Sequence, residues 1–365
     1  MGGEIESQES EKEPKDGKNN LVKYGINRIK TGKKPFEVFN INNTINLTTE
    51  KIINIFGIFD GHKGNEIAQY LSDNFCNELS KNSNLTIENY EKALNETFIN
   101  MDKSLRNEDI NNILMEYSQK NKLKLKEKLD ELYKNNKHEL NEDDLLGLNT
   151  FMDILNPENL EDVLISDYVG SSGLIILINE NNTYIANAGN SHFIIINKQL
   201  EINNKIIEKQ KKQEEEEIKR VKIGKGIKYG KNIKGEKYLY TRGFGDYHFK
   251  KNNLNNIDTQ EILSEPIIYE VNNKDIKYII AFNHALYENL INTKDSNKNI
   301  NNIYKKMAEY FIEQLKDEQK SISDIISHYF VNIIQNYKNN KNDNNIKNDE
   351  SFTSDFSCVF IEFFS

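Results

Sequence analysis

The sequence predicts a chain of both strands and helices, an order compatible with an α+β fold, and three stretches carry that prediction. The first is Lys51 to Cys76, KIINIFGIFDGHKGNEIAQYLSDNFC. Its apolar run, Ile52 to Phe59, has the pattern of a buried strand. The run stops at Asp60-Gly61-His62-Lys63-Gly64, after which Ile67, Ala68, Tyr70, Leu71 and Phe75 recur at helical spacing. The second stretch, Val169 to Ile178 with Thr183 to Asn197, reads as a hairpin of apolar strands around Glu180-Asn181-Asn182. The third sets two amphipathic helices, Asn302 to Leu315 and Ile322 to Tyr337, before a closing apolar strand, Phe352 to Phe364.

The remaining elements follow in order. Residues 1–20 are polar and read as a disordered tail. Gly2 follows Met1, but Glu6 stands where a myristoylation motif has Ser or Thr, which argues against a lipid anchor. Leu21 to Thr49 reads as two short strands around TGKKPFEV, Thr31 to Val38. Ile87 to Leu105 reads as a helix with Tyr90, Leu94, Phe98 and Met101 on one face. Met115 to Leu140, dense in Lys, Glu and Leu, reads as a surface helix within an insertion, and Gly147 to Leu164 as irregular or weakly helical. Lys198 to Gly235 is charged and punctuated by glycine, and its run Glu214 to Glu217 reads as a solvated face. Asp275 to Ile280 reads as a buried strand, and Lys338 to Glu350 as an Asn/Asp/Lys loop. The chain thus divides into a tail and one domain, 21–365, with polar insertions near 106–150, 199–236 and 338–350.

The chain has 365 residues, 37% of them hydrophobic, and a net charge of −9, which argues against a general nucleic-acid binder with a basic face. No apolar run reaches the length of a membrane span, and the start has no signal-peptide pattern. Cys76 and Cys358 fall in predicted core elements and read as buried thiols of a reducing compartment. A cytoplasmic location is expected, with a nuclear one as the alternative.

Asp60 ends a core strand, so its carboxylate is held rigidly at a sheet rim where a divalent cation can bind. Gly61 can bring its backbone oxygen to the same ion. DGHKG in this setting resembles the DGHxG signature of the metal-dependent serine/threonine protein phosphatases of the 2C type, and the resemblance continues in order. Gly170-Ser171-Ser172-Gly173 with YIANAGNSH (Tyr184 to His192) is similar to that family's GSTA…ANVGDSR. YLYTRGFGD (Tyr238 to Asp246) is similar to its LavtRsfGD, Ser264-Glu265-Pro266 to its EP motif, and the final SDFSCVFIEF to its DNiTvivv strand.

The resemblance implies a four-layer αββα sandwich of two mainly antiparallel sheets flanked by helices. It also implies a site for two Mg or Mn ions about 3.5–4 Å apart that polarise a bridging water. The implied metal set is Glu37, residue 38, Asp60, the Gly61 carbonyl, residue 190, residue 283 and Asp355, with Asp60 bridging and His62 as general acid. Lys33 stands where the family's phosphate-holding Arg stands. Lys neutralises a phosphate but cannot grip two oxygens in a fork.

Three acidic positions are instead Val38, Asn190 and Asn283; Phe356 replaces the Asn that follows the last metal aspartate. Valine cannot ligate, and asparagine keeps an oxygen without the charge. Mg or Mn is therefore expected to be weakly bound or absent. The expected function is a pseudophosphatase acting as a binding or regulatory module toward a phosphoprotein or regulatory partner. The alternative is an active Mn/Mg-dependent phosphoserine/phosphothreonine phosphatase, and a third possibility is some other αββα or unrelated fold with chance motifs. Arg242 and Asp246 either hold their loop or place a helper carboxylate. His192, where the family has Arg, is expected to satisfy a local hydrogen bond rather than to bind metal.

Overall fold

A computed structural model describes residues 14–30, 36–48, 51–135, 164–223, 241–250, 262–291, 300–342 and 355–364. Its strands sort into two antiparallel sheets. One holds, in spatial order, β1 (Lys15–Lys18), β2 (Val22–Ile29), β11 (Phe356–Phe363), β10 (Tyr278–Phe282) and β7 (His192–Ile196). The other holds β3 (Val38–Asn46), β4 (Ile52–His62), β5 (Gly170–Ile178), β6 (Asn182–Ala188) and β9 (Ile267–Asn272), with β8 (Phe244–Gly245) paired to β5. The helices are α1 (Glu66–Ser80), α2 (Ser83–Thr86), α3 (Tyr90–Ser104), α4 (Glu108–Asn135), α5 (Asn204–Ile223), α6 (Tyr247–Lys250), α7 (His284–Ile291), α8 (Ile300–Gln314) and α9 (Ile322–Asn342).

Strand β4 shows how the layers arise. Ile53, Ile55 and Phe59 share a cluster with Leu71 and Phe75 of α1 and Leu94 and Phe98 of α3. Phe56 and Ile58, on the opposite face, join Val22, Ile279 and Val359 of the other sheet. A strand covered on both faces needs no polar alternation, so its sequence is nearly continuously apolar. Behind the first sheet, Ile280, Phe282 and Phe360 meet Met307 and Phe311 of α8 and Ile326 and Phe330 of α9. The order is helix, sheet, sheet, helix: the expected αββα sandwich.

Several elements differ from the sequence expectation. Thr183 to Asn197 is not one strand. It breaks after Ala188, where Gly189 takes φ +143, and β6 and β7 join opposite sheets. Lys15–Lys18, inside the polar tail, pairs with β2, and Asp16 accepts the Ser323 N–H at 2.9 Å at the start of α9. The Glu214–Glu217 region lies on α5, and Glu217 is drawn inward by Arg220 and Arg242. Helix α9 runs on to Asn342, into the expected loop. Residues 136–163, 224–240 and 343–354, which carry part of the expected insertions, lie outside the described residues.

Candidate active site

The candidate site lies where four strand ends from both sheets converge. Alternation with Phe56 and Ile58 turns Asp60 toward the opposite sheet. Its antiparallel neighbours in register are Val38 on β3 and Ser172 on β5. Val38 is fully buried in the cluster between the sheets, so a branched hydrocarbon stands beside Asp60. From the opposite sheet, Asn283 follows β10 and Asp355 precedes β11. These strands are adjacent and antiparallel, which puts the end of one beside the start of the other.

Direct hydrogen bonds join these groups. Asn283 Nδ2 donates to the Asp355 carbonyl oxygen at 2.8 Å and to Asp60 Oδ2 at 3.2 Å. Its Oδ1 accepts the Ser357 N–H at 3.1 Å. An amide has one donor end and one acceptor end. Here a backbone N–H fixes the oxygen end and a backbone carbonyl fixes the nitrogen end, so the face turned to Asp60 is a donor. Asp355 Oδ2 accepts the Glu37 N–H at 3.1 Å, and Ser357 Oγ donates to Asn40 Oδ1 at 2.6 Å. Gly61 donates its N–H to the Glu37 carbonyl at 2.7 Å. A Cβ on Gly61 would lie 2.7 Å from the Gly64 carbonyl oxygen, so the turn requires glycine.

Burial pushes the Asp60 carboxyl up to about 8; the Asn283 N–H opposes that shift, and the charges of Glu37 and Asp355 add to it. Among the described residues, no group of three or more His, Cys, Asp and Glu side chains forms a cluster able to hold a metal ion.

At the end of β4, His62 Nε2 lies 2.5 Å from Asp246 Oδ2. A carboxylate only accepts, so Nε2 carries the shared proton. Gly170 sits opposite His62 in register, and a Cβ there would lie 2.3 Å from His62 Cε1 and 2.4 Å from Asp246 Oδ2. Glycine at 170 makes the room that the pair occupies. Lys63, at φ 60, places Nζ 4.0 Å from Asp246 Oδ1.

The two roles left open for Arg242 and Asp246 now separate. Arg242 ties its loop down, donating to Glu217 Oε1 at 2.8 Å and to the Glu265 carbonyl at 2.6 Å. Burial alone would raise the Glu217 carboxyl, but Arg220 and Arg242 outweigh it and hold that group low. Asp246 is the carboxylate set against His62.

Other sequence candidates fall around this rim. Asn190 lies in the β6–β7 turn beside Ser191, whose Oγ is 3.5 Å from that of Ser172, the neighbour of Asp60. Lys33 lies outside the described residues. The segment that follows it is anchored by Arg28, whose guanidinium lies 4.3 Å from the Phe36 ring centroid and donates to the Val38 carbonyl at 2.6 Å. His192 Nδ1 is 2.9 Å from the Tyr304 hydroxyl and Nε2 is 3.3 Å from His284 Nδ1. Burial, with His284 beside it, holds this imidazole well below its ordinary pKa. Sequence reasoning did not find the donor role of Asn283 or the partnership of Asp246 with His62; the spacing from 62 to 246 carries no local signal for the latter.

The family model for protein phosphatase 2C matches residues 22–118 and 111–294. Among curated relatives, a probable protein phosphatase 2C 6 of Paramecium tetraurelia is 25% identical over 332 residues, covering 88% of this chain and 95% of the relative. Protein phosphatase 2C 1 of the same organism is 26% identical over 275 residues, covering 72% and 76%. Among solved structures, a phosphatase from Toxoplasma gondii superposes with a TM-score of 0.54 at 11% identity, covering 94% of this chain and 93% of the other. A serine-threonine phosphatase 2C from Toxoplasma gondii gives 0.51 at 12% identity, covering 96% and 97%. At these identities the structural likeness speaks for the fold alone.

Proposed function

The chain belongs to the protein phosphatase 2C family, and from that premise we propose that it is a pseudophosphatase: the phosphatase fold kept as a binding or regulatory module for a phosphoprotein or regulatory partner, with its two-cation centre weakened. The family is generally magnesium- or manganese-dependent. The residues of this chain do not fit two cations. Asp60, Asp355, Glu37 and the Gly61 carbonyl supply oxygens, but Val38 supplies none, and Asn190 and Asn283 bring no charge.

One observation carries the reading: the amide face that Asn283 turns to Asp60 is an N–H at 3.2 Å. A cation held there would meet a donor where it needs an oxygen. At about 4 Å and an effective dielectric of about 20, one carboxylate against a dication contributes on the order of 8 kcal/mol gross. Water and relaxation remove most of that, yet about 1.4 kcal/mol per lost acid is already tenfold in affinity.

The test is hydrolysis of an aryl phosphate in millimolar manganese, with Asp60→Ala as the control. The expected result is no turnover that depends on Asp60; manganese-dependent turnover abolished by Asp60→Ala overturns the reading. A second reading, an active phosphoserine/phosphothreonine phosphatase that demands high manganese, draws support from the His62–Asp246 pair and from Asp60 and Asp355 standing at their family positions. The same assay decides between the two. No helix among the described residues is long and apolar enough to cross a membrane.

A further inference from the structure

Under either reading, the useful property of His62 is which ring nitrogen holds its proton and where that nitrogen points. Asp246 governs both, so what holds Asp246 becomes part of the site. Asp246 sits in a strained turn, with φ +49 after Gly245 at φ +70. Aspartate is among the few non-glycine residues that enter this left-handed region readily, so the question is what enforcement holds it there.

The enforcement comes from a buried ion pair on the far side of the turn. Asp102 lies near the end of α3 and is 4% exposed; Lys250 ends α6 and is 8% exposed. Lys250 Nζ lies 2.9 Å from both carboxylate oxygens of Asp102 and 2.9 Å from the Gly243 carbonyl. Asp102 Oδ1 also accepts the Gly245 N–H at 2.9 Å. The Tyr247 hydroxyl donates to the Asp102 carbonyl oxygen at 2.7 Å and lies 3.2 Å from Oδ2.

Residues 245, 247 and 250 are thus tied to Asp102, and 243 is tied to it through Lys250, while Phe244 stacks on Phe98 of the same helix at 5.2 Å. Asp246 faces the other way. Its N–H donates to the Val169 carbonyl at 3.0 Å, and its carboxylate meets His62.

We infer that Asp102 and Lys250 are positioning residues for His62: their buried pair clamps the 243–250 turn so that Asp246 keeps hold of the His62 Nε2–H. The inference rests on His62 being the proton-bearing group of the site, and it names a role for residues that touch neither His62 nor any ligand of the site.

The test uses the full chain and needs no turnover. In the wild type, the His62 Nε2–H bonded to Asp246 is expected as a far-downfield imidazole proton resonance. Asp246→Gly, which accepts the positive φ, removes it and so assigns it. Replacing the ion pair together, Asp102→Leu with Lys250→Met, strands no buried charge, although the Gly245 N–H and the Gly243 carbonyl lose their partners. In that variant, helix content is expected to hold and melting to fall modestly, while the proton exchanges with water at least about tenfold faster, equivalent to about 1.4 kcal/mol of lost restraint. Asp102→Asn with Lys250→Met removes the ion pair but keeps an acceptor for the Gly245 N–H; it is expected to speed exchange by about threefold and decides alone if the first replacement does not fold. A resonance absent from the wild type, or exchange at the wild-type rate in either folded variant, overturns the inference. Hydrolysis by the wild type would overturn the pseudophosphatase reading and leave this proton in place, so the two failures are distinguishable.

Discussion

Restoring one acid at the rim should make the fold depend on metal. Asn283→Asp removes the N–H bonds to the Asp355 carbonyl at 2.8 Å and to Asp60 at 3.2 Å. Each such bond contributes about 1 kcal/mol net. The new carboxylate would also be buried beside Asp60 and Asp355 with no cation to offset it. A buried charge left uncompensated costs about 3–5 kcal/mol, and that range absorbs the lost bonds. At about 2–3 °C per kcal/mol, a chain of this size should melt about 6–15 °C lower in chelator. Manganese at about 100 times its dissociation constant should return about 2.7 kcal/mol, most of the loss. The assay is thermal melting of wild type and variant with chelator and with manganese; the wild type should move little between the two. An Asn283→Asp variant that melts as high as wild type in chelator, or a wild type that gains as much from manganese, refutes the reasoning.

Three further outcomes are expected. In chelator, Asp60 should make the fold less stable as pH rises. Its carboxyl titrates near 3.8 unfolded and at about 8 folded, so across that window the folded chain keeps a proton that the unfolded chain has released. Stability should fall by up to about 1.4 kcal/mol per pH unit, and Asp60→Asn should flatten the curve; parallel curves for the two proteins would show the shift to be absent. Gly170→Ala should cost about 1–3 kcal/mol by overpacking and separate His62 from Asp246, read as a lower melting temperature together with loss of the His62 imidazole proton signal; a variant keeping both would contradict the contact distances. The triple change Val38→Asp, Asn190→Asp and Asn283→Asp should raise manganese affinity at least about tenfold in calorimetry, and no gain would mean that these positions do not share a site.

The scaffold was legible because each core strand and helix repeats its period within a few residues. Ile53, Ile55, Phe56, Ile58 and Phe59 of the first run, the helix face of Tyr90, Leu94, Phe98 and Met101, and Cys358-Val359-Phe360-Ile361 of the closing strand all appear in the core. The β6–β7 break was missed because Ile185 and Ile195 both face the space between the sheets, so alternation continues across a change of sheet. The rim was legible as a set of positions: Asp60, Asn283 and Asp355 come together from three distant motifs. What the sequence could not carry was orientation. Whether Asn283 turns an oxygen or an N–H to Asp60 depends on Ser357 N–H and the Asp355 carbonyl, which belong to another strand. The Asp102–Lys250 pair had no signature either, since a lone Asp near a helix end reads as solvated until Lys250 and Gly245 are folded over it.

The direct test is titration of the wild-type chain with manganese in a calorimeter, with Asp60→Ala alongside. The predicted trace shows no saturable heat below millimolar manganese in either protein. Two equivalents of manganese bound at micromolar concentration, and lost in Asp60→Ala, would show that the asparagine-bearing rim still assembles a two-cation centre and would contradict the account.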